Sequence, residues 1–403
     1  MSGNLTQFRQ LLGNTSLNIP QPLMQEALEG LAAQSDFPTT RDESWKYTRL
    51  GRVAALQLSP QNLPQSPNPL VSERLEIIFE AGQWSCASHT IPGLTIAPAA
   101  SVASEVWQAC ANKGHVQHLN TLTAQGGICI SIEAGTHIDE PIRIIHRMKD
   151  VHQSMVLHHQ ITVGVNAYAQ LELIFEGSTS SSYSNILTDF FLADGAKVNV
   201  DKWQNFEGEH YGFYNERIFQ QKNSVFSLQT LTVNTHFTRN DVEVFSQGEA
   251  AHTQLYGAFF GRENNHIDNH TYVHHSAPQG TSDENYKGIL SDKATGVFNG
   301  KIKVYQDAQK INAFQSNKNI LLSDSATMNS KPELEIYADD VKCSHGCTTG
   351  QIDPTALYYL RARGISKEKA QEMLVKAFIT DVVEAVKSEN IKGKITKWLG
   401  AEI

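Results

Sequence analysis

The segment Leu171-Glu-Leu-Ile-Phe175 belongs to a series of short runs that decides the fold of the middle of this chain. Each run alternates in polarity or stays apolar over about five residues, which is typical of β-strands. Turns rich in small residues recur near Gly164, Gly195, Asn223 and Gly248, at spacings of 31, 28 and 25 residues. A loose repeat of this length, with about two strands in each repeat, predicts a β-solenoid. A β-sandwich would give similar local signals, so the pattern alone leaves both folds open.

The two ends of the chain have helical patterns instead. Apolar residues at helical spacing begin at Leu5, and Pro20 and Pro22 mark the start of a second helix. A proline-rich stretch over 59–69 reads as a linker. We therefore predict an N-terminal helical domain with its linker over 1–70, a β core over 71–350 and a C-terminal helical domain over 351–403.

The C-terminal helices carry clear start signals. Asp353 with Pro354 and, further on, Ser366 are N-cap residues, and Gly364 is a helix terminator. One face of the last long helix is predicted to be buried; it comprises Ala370, Met373, Leu374, Ala377, Phe378, Asp381 and Val382. We expect part of this face to cover the end of the β body, because an exposed end would present unpaired strand edges.

Composition excludes several classes of protein. The chain has 403 residues and a net charge of −9, which argues against a nucleic-acid partner. No apolar run is long enough to cross a membrane, and the N-terminus lacks a secretory pattern, so we expect a cytoplasmic protein without a membrane partner. Five cysteines fit reduced thiols better than a disulfide framework, and Cys86, Cys110 and Cys129 are interpreted as small core residues.

The stretch from Glu335 to Gln351 is the most informative about function. It reads as a strand that runs through Ile336, Ala338 and Val341 into Cys343-Ser-His-Gly-Cys347. Residues at i, i+2 and i+4 of a strand share one face, so Cys343, His345 and Cys347 can point the same way. Thiolate and imidazole are ligands for zinc, copper and iron–sulfur clusters. A strand supplies only three such ligands, whereas a structural zinc site uses four.

Three segments of the chain resemble the SufD family of iron–sulfur cluster assembly proteins. They are Tyr337-Ala-Asp-Asp-Val-Lys-Cys-Ser-His-Gly346 with Leu357-Tyr-Tyr-Leu-Arg-Ala-Arg-Gly-Ile365, then Tyr286-Lys-Gly-Ile-Leu290 with Phe298-Asn-Gly-Lys301, and Pro38-Thr-Thr-Arg-Asp-Glu-Ser-Trp-Lys-Tyr-Thr48. The resemblance spans roughly residues 38 to 380. It favours the solenoid over the sandwich, since the core of that family is a right-handed parallel β-helix flanked by helices.

The resemblance also implies a function without catalysis. The chain would be a scaffold subunit that pairs with a SufB-like paralogue through the β-helix and docks a SufC-like ABC ATPase through its C-terminal helices. A transient iron–sulfur cluster would lie at the seam, held by His345 with Cys343 as a helper, and the partner would supply the other ligands. Cys347 stands where the family usually has alanine, and we expect it to be a bystander. A homodimer through the same edge is expected when the paralogue is missing.

Other readings of the residues remain open at this point. His266, Asp268 and His270 have a spacing seen in cupin-type metal sites, which suggests a metal-dependent all-β enzyme as the alternative. A β-helical lyase or carbohydrate-binding protein is a further alternative, although such proteins are mostly secreted. Asp339 and Asp340 are interpreted as one solvated carboxylate and one residue with a turn or hydrogen-bond role, because neighbouring strand residues face opposite sides and cannot form an acid–base pair. Trp45-Lys-Tyr-Thr48 is interpreted as a packing motif, and the absence of a phosphate-binding loop predicts that this chain binds no nucleotide.

Overall fold

A computed structural model of the chain describes residues 4–33, 36–59, 63–64, 66–87, 90–101, 114–149 and 152–402. The helices are α1 (Asn4–Leu12), α2 (Gln21–Ala33), α3 (Gly51–Ala54), α4 (His115–Thr123), α5 (Pro354–Ala362), α6 (Lys367–Ala385) and α7 (Glu389–Glu402), with 3₁₀ turns at Glu43–Trp45 and Ala99–Ser101. The strands that precede the repeating body are β1 (Asn68–Leu70), β2 (Glu76–Glu80), β3 (Gln83–Ala87), β4 (Leu94–Pro98), β5 (Ile128–Ile132), β6 (His137–Met148) and β7 (Gln153–Val163).

Eleven further strands complete the β structure: β8 (Tyr168–Leu192), β9 (Lys197–Gln220), β10 (Val225–Val233), β11 (Phe237–Ser246), β12 (His252–Gly261), β13 (His266–His275), β14 (Thr281–Leu290), β15 (Thr295–Val304), β16 (Ile311–Leu321), β17 (Thr327–Ile336) and β18 (Val341–Gly350). Together they form a β-solenoid of about eight turns, which confirms the fold prediction.

The solenoid consists of two parallel sheets that face each other across one core. The first sheet runs through β2, β6, the first half of β8, the first half of β9, β10, β12, β14, β16 and β18. The second runs through β5, β7, the second halves of β8 and β9, β11, β13, β15 and β17. Each coil therefore adds one strand to each sheet.

One corner of the coil repeats in nearly the same backbone conformation. Asn166, Gly195, Asn223, Ala250, Gln279 and Lys310 all have a left-handed φ between 55° and 69°. Their backbone N–H groups donate hydrogen bonds to carbonyl groups of the next coil. For example, Gly195 donates to the Lys222 carbonyl at 2.8 Å, and Lys310 donates to the Asp340 carbonyl at 2.6 Å. The turns predicted near Gly164, Gly195, Asn223 and Gly248 therefore lie within two residues of the observed corner.

The interior of the solenoid is filled by columns of apolar side chains. Val200, Leu228 and Leu255 occupy the same position in successive coils, and all three are fully buried. Burying a side chain of this size stabilises the folded state by roughly 1.5–3 kcal/mol. The interior residues form one continuous cluster from Leu75 to Ala338.

The helices cover the outer faces of the two sheets. Phe8, Leu12, Trp45 and Val53 from the N-terminal segments pack on the second sheet around Phe213. Helices α6 and α7 pack on the first sheet through the apolar set Val375, Ile379, Val382, Val386, Ile391, Ile395 and Leu399. The prediction that the C-terminal helices cover the end of the β body is therefore wrong.

The buried face of α6 also differs from the prediction. Met373 and Asp381 are exposed, whereas Val375 and Ile379 are fully buried. The helix carries apolar residues on more than one face, and the outer face of the first sheet buries the stripe of Val375, Ile379 and Val382. Asp381 stays at the rim, where it pairs with Lys287 at 2.6 Å.

Two further differences concern local structure. The predicted strand through Ile336, Ala338 and Val341 is interrupted, because β17 ends at Ile336 and a corner follows before β18 begins at Val341. Helix α4 lies inside the region predicted as β, and its burial against β7 and β8 explains why its apolar and polar residues do not alternate as on a surface helix. Residues 60–62 and 65 of the proline-rich stretch, and Cys110, lie outside the described residues.

Candidate functional site at the open end of the solenoid

The predicted site lies on β18, the last strand of the first sheet. β18 pairs with β16 in parallel register, which places Cys343 over Ala313, His345 over Gln315 and Cys347 over Asn317. Ala313, Gln315 and Asn317 are buried in the interior of the solenoid. Because the register is continuous, Cys343, His345 and Cys347 share the face of β18 that points toward the core.

These three side chains differ in burial because no further coil follows β18. Cys343 is half-buried and packs against the interior cluster, whereas His345 and Cys347 are exposed. Partial burial raises the pKa of the Cys343 thiol, which disfavours its thiolate form. The site is thus an interior position that the end of the solenoid leaves open to solvent.

Both strands of the last coil are edge strands. β18 pairs only with β16 and β17 only with β15 among the strands that the structure describes. At the opposite end of the solenoid, β3 pairs antiparallel with β2, and β4 pairs antiparallel with β5. The C-terminal end therefore presents two neighbouring edges of the parallel sheets, whereas antiparallel strands flank the parallel sheets at the N-terminal end.

Apolar and aromatic side chains surround this open end. Phe314 on β16, Ile336 on β17 and Tyr337 in the last corner are all exposed. The Lys303 ammonium lies 5.6 Å from the centre of the Tyr337 ring and 5.1 Å from that of Tyr305. Exposed apolar side chains around an unpaired sheet edge are typical of an interaction surface.

The second predicted row, His266, Asp268 and His270 on β13, lies on the outer face of the second sheet. Asp268 is fully buried there. Its carboxylate pairs with Arg239 at 3.0 Å and with His270 at 2.8 Å, and it accepts a hydrogen bond from the Thr48 hydroxyl at 2.6 Å. The same hydroxyl lies 2.9 Å from Nε2 of His266, which must therefore be the donor.

The charges around Asp268 keep it ionised. Burial alone would raise the pKa of its carboxyl, but the charges of His270 and Arg239 outweigh burial and hold the pKa below its usual value. The Arg239 guanidinium also lies 3.8 Å from the ring centre of Trp45. This row is the point where the N-terminal segment from Trp45 to Thr48 is anchored, which agrees with the packing interpretation of that motif.

The alternative of a cupin-like metal enzyme is wrong on two counts. The fold is a solenoid, and the carboxylate of Asp268 is already committed to Arg239, Thr48 and His270. Within the residues that the structure describes, no three His, Cys, Asp or Glu side chains are grouped so that they could hold a metal ion. That finding covers the His345 row as well, where two or three ligands of one chain leave a cluster incompletely coordinated.

Asp339 and Asp340 are both exposed in the last corner, where the Asp340 carbonyl accepts the hydrogen bond from the Lys310 backbone, which agrees with one solvated carboxylate and one residue with a turn role. Cys129 is buried and Cys86 half-buried, and both are free thiols. None of the described helices is long and apolar enough to span a membrane.

Sequence reasoning missed two interior residues below His345. Gln315 on β16 and Glu284 on β14 occupy the same register position as His345, one and two coils deeper respectively. The sequence signal was that Glu284, Gln315 and His345 are separated by about one repeat length each. This spacing does not show that the residues stack unless the register of each coil is known.

A parallel β-solenoid with helices on both outer faces and a histidine and cysteine row at its open end defines a class of β-solenoid proteins with an exposed last coil. Comparison with known families agrees with this class. The family described as "SUF system FeS cluster assembly, SufBD core domain" matches residues 146–378. The chain belongs to this family, and membership supports a role in iron–sulfur cluster assembly.

Individual relatives match along most of the chain. The iron–sulfur cluster assembly protein SufD of Escherichia coli is 26% identical, over 95% of this chain and 93% of that protein. A SufBD family protein of Synechocystis is 25% identical, over 89% of this chain and 86% of its own length. SufD of Bacillus subtilis is 23% identical over 69% of this chain and 64% of that protein.

Proposed function

We propose that this chain is a non-catalytic scaffold subunit in iron–sulfur cluster assembly and that His345 holds a nascent cluster where the open end meets a SufB-like paralogue. The observation that carries the proposal is the position of His345. It belongs to the interior row of the last coil, yet it is exposed because the solenoid ends there.

The open end supports pairing with another solenoid. Strands of a partner can continue the ladders of β17 and β18, since both edges lack a neighbour among the described strands. The exposed side chains of Phe314, Ile336 and Tyr337 would be buried in the same contact. A SufB-like paralogue has a comparable edge to offer, and a second copy of this chain is the expected occupant when the paralogue is missing.

Ligand chemistry explains why the site would be shared. Iron–sulfur clusters are held mostly by cysteine thiolates, about four per cluster, and this chain offers one exposed imidazole with neighbouring thiols. Cys343 would be a weaker ligand than His345, because burial raises its pKa and its thiolate must form first. Cys347 faces the same side but lies further along the strand, and we propose no role for it. The partner would complete the coordination.

The C-terminal helices suggest where an ATPase subunit would dock. Helix α5 buries none of its residues, and Tyr358 and Tyr359 on it are exposed. The Arg363 guanidinium lies 4.6 Å from the Tyr359 ring centre. In contrast, α6 and α7 are already packed on the first sheet. We therefore propose α5, together with the exposed side of α6, as the docking surface for a SufC-like ABC ATPase.

A reconstituted complex tests the proposed role of His345. The variant His345→Ala is mixed with the paralogue and the ATPase under reductant, with iron and a sulfur source, and cluster formation is followed by visible absorption. We expect the complex to assemble as in the wild type, because the backbone edges are unchanged, while cluster accumulation falls to a small fraction.

The matched control is Cys347→Ala, two residues further along the same face of β18. It should assemble and accumulate cluster as the wild type does. A normal cluster yield from His345→Ala in an intact complex would refute the assignment.

A further inference from the structure

The interior column below His345 changes from apolar to polar as it approaches the open end. Leu228, Leu255, Glu284, Gln315 and His345 occupy one register position in five successive strands of the first sheet. Neighbouring strands lie about 4.8 Å apart, so each side chain stacks directly on the next. The first two are ordinary core residues, and the polar ones lie only beneath the candidate site.

The buried carboxyl group of Glu284 is energetically unfavourable in this interior. It is fully buried, and its Oε2 accepts a hydrogen bond from the Thr271 hydroxyl at 2.5 Å, while its Oε1 has no hydrogen-bond partner. Burial, together with the nearby charge of Asp283, raises its pKa to about 7, although the Thr271 and Gln315 side chains act in the opposite direction. A carboxyl group without a cationic partner destabilises a core, so packing alone does not account for it.

Gln315 lies between Glu284 and His345, and the opposite sheet leaves room for its amide. The residue opposite is Gly300, and a β-carbon there would lie 2.3 Å from Nε2 of Gln315. The Gln315 side chain lies near enough to Glu284 to lower the pKa of its carboxyl. Both Nε2 and Oε1 of Gln315 are buried, and neither has a hydrogen-bond partner among the described residues. The unpaired amide therefore belongs to the residue stacked between the Glu284 carboxyl and the His345 imidazole.

We propose that Gln315 is a positioning residue for His345 and that its unpaired amide bonds to its two stacked neighbours. A small rotation would bring Nε2 to the unpaired Oε1 of Glu284, and Oε1 of Gln315 would then accept a hydrogen bond from an imidazole N–H of His345. That bond sets the tautomer and direction of the ring, so that the other ring nitrogen faces outward with a free lone pair.

No other side chain competes for the His345 ring from the opposite sheet. The positions that succeed Thr271 there are Gly300 and then Pro332, neither of which has a polar side chain. Other polar or titratable side chains on the inward faces of the last coils are Cys343, Cys347, Thr349, Asn317, Asn319, Ser330 and Tyr286. Asn317 and Ser330 already bond to each other at 2.8 Å. The use of the outward nitrogen as a cluster ligand rests on the function proposed above, but its orientation does not.

Nuclear magnetic resonance of the full chain tests the orientation directly. With ring-¹⁵N histidine, the His345 signals are assigned by their loss in His345→Gln, and ring ¹⁵N shifts report which nitrogen carries the proton. We expect a single tautomer in the wild type and a mixture of both in Gln315→Met, which keeps the size of the side chain but removes the acceptor. Glu284→Gln should keep the single tautomer, because its amide oxygen still accepts from Gln315.

Folding controls keep the experiment decisive. Gln315→Met removes a buried unpaired oxygen, so we expect a melting temperature no lower than that of the wild type. If that variant does not fold, Glu284→Leu leaves Gln315 in place but frees it to rotate, and the same mixture of tautomers is expected. An unchanged tautomer in Gln315→Met, or in Glu284→Leu, would overturn the proposal, as would a mixture in the wild type.

The cluster assay separates this inference from the proposed function. If His345→Ala leaves the cluster yield normal while Gln315→Met still mixes the tautomers, the positioning holds and the ligand role fails. If His345→Ala abolishes cluster accumulation while Gln315→Met leaves the tautomer unchanged, the ligand role holds and the positioning fails.

Discussion

Two rows of this protein have the same spacing in sequence and opposite positions in the fold. His266, Asp268 and His270 lie on the outer face of a central strand, where Arg239 and Thr48 cover them. Cys343, His345 and Cys347 lie on the inner face of the last strand, where Cys343 is half-buried and the other two side chains are exposed. Alternate spacing therefore groups side chains on one face, but the coil and the face decide whether they anchor a segment or meet a partner.

The comparison extends to the buried carboxylates near each row. Asp268, beside the Arg239 guanidinium and the His270 imidazole, has a pKa held below its usual value. Glu284, beneath the open row and without a cation, has a pKa raised by burial. The negative charge of Asp268 therefore stabilises the folded state, whereas ionisation of Glu284 destabilises it.

The largest expected effect is on the covered row. Asp268→Ala leaves Arg239 buried with one carboxylate fewer and removes the acceptor of Thr48, so we expect the free energy of unfolding to fall by about 3–5 kcal/mol. Denaturant unfolding followed by circular dichroism measures this change.

Two control variants sharpen that measurement. Asp268→Asn keeps an acceptor for Thr48 but not the charge, and should lie between the wild type and Asp268→Ala. Asp339→Ala removes an exposed carboxylate and should change stability by less than about 0.5 kcal/mol. A loss below 1 kcal/mol in Asp268→Ala would show that this row is not an anchor.

An intermediate effect is expected from Glu284, and it depends on pH. The folded protein binds the Glu284 proton up to a pKa of about 7, against 4.5 for an ordinary glutamate, so the folded state holds more protons between these values. Its contribution to stability is present below pH 4.5 and is lost as pH rises through 7, by about 3 kcal/mol in total. The difference in unfolding free energy between Glu284→Gln and the wild type should therefore grow from pH 5 to pH 8. A constant difference over that range would contradict the raised pKa.

The smallest expected effect is on the open row itself. His345→Ala and Cys347→Ser change exposed side chains, so each should alter the unfolding free energy by less than about 0.5 kcal/mol. Thermal unfolding of the isolated chain is sufficient to measure this. If His345→Ala lowers the unfolding free energy by more than 1 kcal/mol, the His345 ring is packed against the protein. The two rows would then not differ in the way proposed.

Much of the fold could be predicted because the turns of the repeat contain residue types that favour the turn conformation. Turn residues near Gly195 and Asn223 need a left-handed φ, and that requirement is visible in the residue types. Helix caps at Asp353 and Ser366 were correctly identified for the same reason, since each side chain bonds a backbone N–H of its own first turn. The buried face of α6 was not predictable in this way, because it depends on the sheet surface that the helix meets.

The candidate site could be predicted only in part. The alternation of Cys343, His345 and Cys347 correctly predicted a shared face, but not that the face is interior or that the solenoid ends there. Nothing local distinguishes β18 from β13, since register and coil number are set by the stacking of the whole solenoid. Glu284 and Gln315 were missed because their relation to His345 exists only between coils.

The antiparallel strands at the N-terminal end have a consequence for the size of any assembly. A solenoid open at both ends could stack head to tail without limit, and such heterologous contacts produce filaments. Here short strands that run against the repeat, β3 and β4, close the sequence of parallel strands at one end. Only the C-terminal end continues the parallel repeat, so we expect two copies that meet there to form a closed pair rather than a filament.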